Sequence, residues 1–330
     1  MLWVVTGGAG YIGSHVARAL VEAGREIVVL DDLSSGHRAF VDPGVRFVEG
    51  SVTDPGAVDE ALAGTSHGRA VGVVHLAGFK YAGVSVDRPL HTYDQNVTGT
   101  QVLLSRMLLH GVHRLVFSSS AGVYGTPDVD LVTEDTPTLP ESPYGETKLV
   151  GEWLIRDVAR ASELRHTSLR YFNVVGSGHP DRYDTSPHNL FPLVLKALTE
   201  GRRPQVRGID YPTPDGSAVR DYVHVQDIAL AHVAAAEALE QGRPLERVYN
   251  LGSGAGLSVL QIMAAVARAT GVDFEPEITD RRPGDPARIV ASGERAACDL
   301  GWTNRHDIDD MVRSAWQAWQ AGSAGAATTA

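Results

Sequence analysis

Gly7-Gly8-Ala9-Gly10-Tyr11-Ile12-Gly13 is the segment on which the architecture turns. Gly8, Gly10 and Gly13 fit the G-x-G-x-x-G spacing, and Gly7, Gly10 and Gly13 fit the related G-x-x-G-x-x-G spacing. Glycines at these places allow a tight turn, close approach of backbone to a pyrophosphate, and close packing of a helix on a strand. The diphosphate then rests on the N–H groups at the positive end of that helix. The spacing alone is a weak signal, and its setting strengthens it. Leu2-Trp3-Val4-Val5, just before it, is a continuous apolar run, as in a strand buried on both faces. Just after it, residues 15–23 carry Val16, Ala19 and Leu20 at helical spacing, and Gly24 stops the run. Ile27-Val28-Val29-Leu30 is a second buried strand, closed by Asp31-Asp32 about 20 residues beyond the glycines. A carboxylate there can accept from both ribose hydroxyls and repels a 2′-phosphate, which favours NAD over NADP.

Further out, residues 45–48, Val71-Gly72-Val73-Val74-His75-Leu76 and His113-Arg114-Leu115-Val116-Phe117 read as strands, with a helix over 92–109. Strands alternating with helices predict an α/β fold, a Rossmann-type doubly wound parallel sheet. After residue 175 the rhythm changes. Prolines and glycines crowd residues 179–216, and helices are predicted over 190–199, 225–240, 259–269 and 307–321. The expected organisation is a dinucleotide-binding Rossmann domain over 1–175, to which a segment near 220–250 returns. A smaller α/β substrate domain lies mainly in 176–322, and a flexible tail of small residues covers 323–330.

The 330 residues include 29 Lys and Arg against 40 Asp and Glu, a formal net charge of −11. Nucleic acid and anionic membrane surfaces both want clustered positive charge, so neither is an expected partner. No apolar run approaches the length of a membrane span. No basic region precedes the first apolar run, and a cytoplasmic location is expected. Cys298 is the lone cysteine, so no disulfide can form within the chain, and the 13 histidines show no metal-ligand spacing. No metal is expected.

Chemistry enters at Ser142-Pro143-Tyr144-Gly145-Glu146-Thr147-Lys148, which opens a helical run over 144–161. Tyr144 and Lys148, at i and i+4, share one helical face. A lysine cation beside a phenol favours the phenolate and lowers the phenol pKa, making Tyr144 a general base and acid near neutral pH. The chain has only three lysines, Lys80, Lys148 and Lys196, so a Tyr-x-x-x-Lys pair is not a common accident here. Ser118-Ser119-Ser120 follows the fifth strand, where an α/β sheet opens its ligand crevice.

These features resemble the extended short-chain dehydrogenase/reductases. The resemblance rests on the glycine loop, Asp31, His75-Leu76-Ala77-Gly78, Asn96, Ser118-Ser119-Ser120-Ala121-Gly122-Val123-Tyr124-Gly125 and the Tyr144–Lys148 pair. More specific segments follow: Leu169-Arg170-Tyr171-Phe172-Asn173, Asp210-Tyr211-Pro212-Thr213-Pro214-Asp215-Gly216, Val219-Arg220-Asp221-Tyr222-Val223-His224-Val225 and Arg281-Arg282-Pro283-Gly284-Asp285. Together they are similar to the UDP-glucose (UDP-galactose) 4-epimerase family, over residues 2–302.

The resemblance implies an NAD-dependent 4-epimerase acting on a UDP-hexose through a transient 4-keto sugar. It implies that Tyr144 is the acid/base on the sugar 4-hydroxyl, that Ser120 hydrogen-bonds the same hydroxyl, and that Lys148 holds the nicotinamide ribose and polarises Tyr144. Gly7, Gly10, Tyr11 and Ile12 would line the NAD diphosphate, with Asp31, Asp32 and Ser35 at the adenosine ribose. Ser51 and Val52 would lie at the adenine, Ser51 standing where the family usually has an aspartate. Leu76, Ala77, Gly78, Lys80 and Ser118 would flank the dinucleotide, with Asn96 supporting its site and Tyr171 beside the nicotinamide. Lys80, Asn173, Asn189, Leu190, Arg207, Arg220, Tyr222, Arg282 and Asp285 would hold the UDP-sugar. Arg207 replaces an aromatic that relatives often place near the uracil, and Ile289 falls at the position that gates sugar size, favouring hexoses. A homodimer is implied, paired through the helices over 92–109 and 144–161.

Two rival readings fit the residues less well. A 4,6-dehydratase or decarboxylase needs further acid and base groups after the catalytic hydroxyl, but Ala121 and Gly122 stand there. A binding module on the same scaffold would not need the Tyr144–Lys148 pair. A UDP-glucuronate or UDP-N-acetylhexosamine 4-epimerase is the alternative within the same chemistry.

Overall fold

The structure, a computed structural model, describes residues 1–66, 68–281 and 285–328, the last six of these by backbone alone. Its centre is a seven-stranded, wholly parallel sheet. The strands are β1 (Leu2–Thr6), β2 (Glu26–Asp31), β3 (Arg46–Glu49), β4 (Ala70–His75), β5 (Arg114–Ser120) and β6 (Arg165–Tyr171), with a seventh from much later in the chain. After β7 (Asn173–Val175), β8 (Gln205–Arg207), β9 (Val219–Arg220) and β10 (Tyr222–His224), strand β11 (Val248–Leu251) returns and pairs with β6. The order is β11-β6-β5-β4-β1-β2-β3, so the winding reverses between β1 and β4. Loops leaving the two neighbours at a reversal diverge and leave a crevice at the carboxyl ends.

Both faces of the sheet are covered, which is why β1, β2 and β4 are largely apolar. On one face, α1 (Tyr11–Glu22) and the later α8 (Val225–Glu240) bury Val16, Leu20, Ile228 and Leu239 against Trp3, Val5 and Val29. On the other, α2 (Pro55–Leu62), α5 (Gly99–Leu109) and α6 (Pro143–Ala161) bury Val58, Leu103 and Ile155 against Val4, Val28 and Leu115. Each such side chain contributes about 1.5–3 kcal/mol when fully removed from water.

The expected helix over 92–109 is not continuous. After the short α3 (Ala82–Asp87), α4 (Pro89–Tyr93) passes into a π-helical turn over Asp94–Thr98 before α5 begins. The widened turn carries Asn96, whose side chain is pulled toward the loop after β4. It accepts from Phe79 N–H at 2.6 Å and donates to the Phe79 carbonyl at 3.0 Å and to Thr147 Oγ1 at 2.8 Å. Asn96 thus ties the β4 loop to α6 from beneath.

The later chain builds a second core, where Phe191 and Val194 of α7 (Leu190–Thr199), Ile262 and Val266 of α9 (Val259–Thr270) and Val312 of α11 (Ile308–Thr328) pack together. Small sheets frame it: β10 beside β7, β13 (Glu277–Thr279) beside β8, and β9 between β12 (Leu257–Ser258) and β14 (Arg288–Ile289). Helix α10 (Glu294–Leu300) lies near β11 and α8. No helix among the described residues is long and apolar enough to cross a membrane.

Candidate active site

A cleft of about 1080 Å³ opens at the carboxyl ends of the central strands and continues into the later chain. The glycine loop forms its floor. Gly7 has φ +73°, and a Cβ there would stand 2.7 Å from the Ala77 nitrogen, so only glycine lets the β1 and β4 loops meet. A Cβ on Gly13 would fall 2.0 Å from the Gly7 carbonyl oxygen, so glycine also sets the helix-to-loop distance. Helix α1 starts here with no side-chain cap. Its first N–H groups need an external acceptor, which suits a phosphate. Tyr11 serves this turn through its backbone, because its buried phenol donates to the Gly176 carbonyl at 2.6 Å.

Asp31, at the end of β2, accepts from Ala9 N–H and Leu33 N–H, both at 2.9 Å, so one carboxylate holds both the glycine loop and the loop after β2. Burial raises its pKa, against those two N–H groups. Gly10, Ile12, Asp32, Ser35, Ser51, Val52, Leu76, Ala77, Gly78 and Lys80 line the same part of the cleft. Ser51 turns its hydroxyl to Thr53 Oγ1 at 2.8 Å, so it belongs to the turn that leads into α2. An uncapped helix start, a glycine cradle and a carboxylate at the second strand fit a dinucleotide diphosphate and ribose.

The chemistry sits where α6 begins. The Ser142 hydroxyl accepts from Gly145 N–H and caps the helix, and Pro143 occupies its first turn. That start aims Tyr144 into the cleft and puts Lys148 one turn deeper. Tyr144 hydrogen-bonds Ser120. The Lys148 ammonium lies 5.9 Å from the centre of the Tyr144 ring and donates to the Ser118 carbonyl at 2.9 Å. One expectation reverses here. The phenol of Tyr144 is raised, because burial outweighs the Ser120 hydrogen bond. It is Lys148 that comes down, to about 8, through burial, with Glu152 opposing. Burial thus works against the charged form of both groups.

Strand alternation turns Ser119 to the face of the sheet opposite Ser118 and Ser120, and the three serines of β5 meet three different surroundings. Ser118 turns toward α8 and meets His232 Nε2 at 2.8 Å. His232 Nδ1 lies 2.8 Å from the Ile228 carbonyl, which can only accept, so Nδ1 carries the proton. Burial keeps this histidine neutral, its pKa brought down to about 4, so Nε2 accepts and Ser118 donates. The Ser118 oxygen is then free to accept from Tyr171, the two side chains being hydrogen-bonded. Ser119 turns to α6 and donates to Glu152 at 2.5 Å. Ser120 alone reaches the cleft. Ser118 and Asn96 therefore lie behind the cleft wall, not on it.

At the far end stand Asn173, Asn189, Leu190, Arg207, Arg220, Tyr222 and Asp285. Arg220 and Asp285 form an ion pair at 2.6 Å. Asn189 donates to Asp184 at 2.7 Å, and the Tyr222 ring meets Phe191 edge-on. Ile289 pairs with Arg220 in the sheet, and it packs against the cluster holding Val123 and Tyr124. Arg282 lies outside the described residues. Sequence reasoning missed Asp184, Tyr81, Arg88 and His188, which also line the cleft, because no motif or periodicity marks them. It also missed Glu152, whose signal was present: Tyr144, Lys148 and Glu152 follow one another at four-residue spacing on one helical face.

The fold, the glycine cradle and the Tyr–Lys–Ser cluster define an NAD-linked enzyme of the short-chain dehydrogenase/reductase type. The chain belongs to the NAD dependent epimerase/dehydratase family, whose profile matches residues 3–252. It is 45% identical over 319 residues to the UDP-glucose 4-epimerase of Corynebacterium glutamicum, covering 96% of this chain and 95% of that one. It is 40% identical over 330 residues to the Bacillus subtilis UDP-glucose 4-epimerase, covering 96% of each. Among solved structures, it resembles the UDP-glucose 4-epimerase of Stenotrophomonas maltophila with bound NAD and formylated UDP-arabinopyranose. That match has a TM-score of 0.92 and 38% identity, over 98% of this chain and 99% of the other. The Bifidobacterium longum UDP-glucose 4-epimerase in complex with NAD+ and UDP matches with a TM-score of 0.88 and 35% identity, over 98% and 100%.

Proposed function

We propose that this protein is a UDP-hexose 4-epimerase that interconverts UDP-glucose and UDP-galactose with NAD as resident cofactor. The observation that carries the reading is the convergence of Tyr144, Lys148 and Ser120 on a cleft with an uncapped helix start at one end and Arg220 at the other. NAD, held by the glycine loop and Asp31, would supply the hydride acceptor and donor for sugar C4. Tyr144 takes the proton of the 4-hydroxyl and gives it back. Ser120 holds that hydroxyl in line with the phenol. The Lys148 cation favours the phenolate that burial opposes. Gly7, Gly10, Tyr11 and Ile12 hold the dinucleotide diphosphate, Asp31 and Lys80 hold its flanks, and Asn96 fixes the loop that carries Gly78.

The 4-keto sugar must turn over between the two hydride transfers. Binding then has to rest on the UDP, and Arg220 is the group built for a diphosphate, a guanidinium being a bidentate donor. Asn173, Asn189, Leu190, Arg207, Tyr222, Arg282 and Asp285 complete that grip. The Rossmann part over 1–175 with β11 carries NAD, and the later chain carries UDP-sugar.

We further propose a cytoplasmic homodimer. Val86, Leu90, Leu109 and Trp153 leave large apolar side chains exposed around α3, α4, α5 and α6, the helices that a twofold pairing would cover. Comparing turnover of UDP-galactose, UDP-glucuronate and UDP-N-acetylgalactosamine tests the substrate assignment. The reading requires UDP-galactose to be turned over fastest, and preference for either of the others would move the assignment to that sugar.

A further inference from the structure

Glu152 lies one helical turn beyond Lys148 and is buried. Its carboxylate takes the Ser119 hydroxyl at 2.5 Å and both Nε and Nη2 of Arg170, at 2.8 and 2.5 Å. Arg170 is buried too, and its Nη1 donates to the Tyr124 hydroxyl at 2.8 Å, which donates in turn to Asn250 Oδ1 at 2.7 Å. Ser119, Arg170 and Asn250 are not scattered. They are register partners on β5, β6 and β11. The network is a polar rung across three neighbouring strands, one position before the rung of Ser120 and Tyr171 that faces the cleft. Every member is satisfied, so the rung fixes its geometry well; a half-satisfied one would not.

We infer that Glu152 is a positioning residue for the reaction: by clamping α6 to β5 and β6 through Ser119 and Arg170, it sets the placement and the charge state of the Lys148 ammonium. This rests on the reading that Tyr144 and Lys148 carry the proton chemistry. The groups facing Lys148 are few among the described residues. They are Tyr144 and Glu152 on α6, neutral His75 on β4, and the Ser118 carbonyl and Phe117 ring on β5. Glu152 is the one carboxylate in that set, and its charge favours the ammonium that burial opposes.

Only three lysines are present, so 13Cε-labelled lysine gives three NMR signals, and Lys148 is assigned by its loss in Lys148→Met. The titration is run on the protein as purified, with its cofactor content matched between variants. Glu152→Gln is expected to lower the Lys148 pKa by about one unit, to shift the alkaline limb of the kcat profile to lower pH, and to leave KM for UDP-galactose within about twofold. Because Glu152→Gln strands the Arg170 charge and could prevent folding, Glu152→Met with Arg170→Met is made alongside, an apolar replacement of the kind that buried ion pairs often tolerate. A folded variant whose Lys148 titration and pH profile match wild type overturns the inference, leaving Glu152 merely structural. Failure of the wild-type protein to epimerise UDP-galactose would sink the functional reading instead, and the lysine titration would still decide the role of Glu152 toward Lys148.

Discussion

The Lys148 ammonium donates to the carbonyl oxygen of Ser118 at 2.9 Å, joining the catalytic helix to the strand that presents Ser120. Ser118 is held from the other side by His232, so the lysine aims at a fixed point. A strand end pinned from both faces of the sheet gives Tyr144 and Ser120 a constant separation, which proton transfer within one hydrogen bond demands.

Tyr144→Phe removes the acid/base and keeps the ring. We expect kcat to fall about 10²- to 10⁴-fold, the usual worth of a positioned acid/base. The fold and the amount of NAD carried by the purified protein should not change. Turnover assays with cofactor quantification check this, and turnover near wild type would remove Tyr144 from the mechanism.

Lys148→Met should separate function from stability. The folded pKa of Lys148, about 8, lies below the ordinary 10.5, so the unfolded chain binds the proton more tightly between those values. The buried ammonium therefore costs stability in full below pH 8, and the cost fades as pH rises toward 10.5. We expect an inactive variant that melts higher than wild type at pH 7, by the equivalent of about 1–3 kcal/mol, with the gain shrinking by pH 10. Calorimetry at the two pH values decides it.

Four buried histidines and the half-buried His166 set an acid limit. Burial brings His75 and His224 down to about 3, and His15, His166 and His232 to about 4, against 6.5 for an unperturbed ring. Each folded pKa is depressed, so the stability these rings contribute is whole above pH 6.5 and is lost as pH falls. At about 1.4 kcal/mol per proton per pH unit, the melting temperature should hold steady from pH 8 to 7 and drop steeply below about pH 6. A flat profile down to pH 4.5 would contradict it.

Much of the site was legible because it is local. The glycine loop, Asp31 and the Tyr144–Lys148 pair each lie within one turn or one strand end, where spacing dictates geometry. Strand β6 was harder to read. Arg165-His166-Thr167-Ser168-Leu169-Arg170-Tyr171 looks polar, yet Thr167, Ser168 and Arg170 are buried because Glu246, Glu152 and their neighbours satisfy them from afar. The π turn at Asn96 was hidden for the same reason, since it answers to Phe79 and Thr147. The sign of the Tyr144 shift could not be read either, because burial is a property of the packed cleft and not of the helix that carries the phenol.

The proposed dimer face is open to a direct test. Trp153→Glu places a charge at the exposed tryptophan of α6. Sedimentation should show wild type at twice the monomer mass and the variant as a monomer, with an unchanged circular dichroism spectrum. A monomeric wild type would remove the dimer from the account.

NMR of UDP-galactose incubated with the purified protein and no added NAD tests the central claim most directly. We expect UDP-glucose to appear until the two sugars reach equilibrium, with no net NADH formed, because the hydride removed is the hydride returned. UDP-galactose that stays unchanged, even after NAD is supplied, would contradict the account.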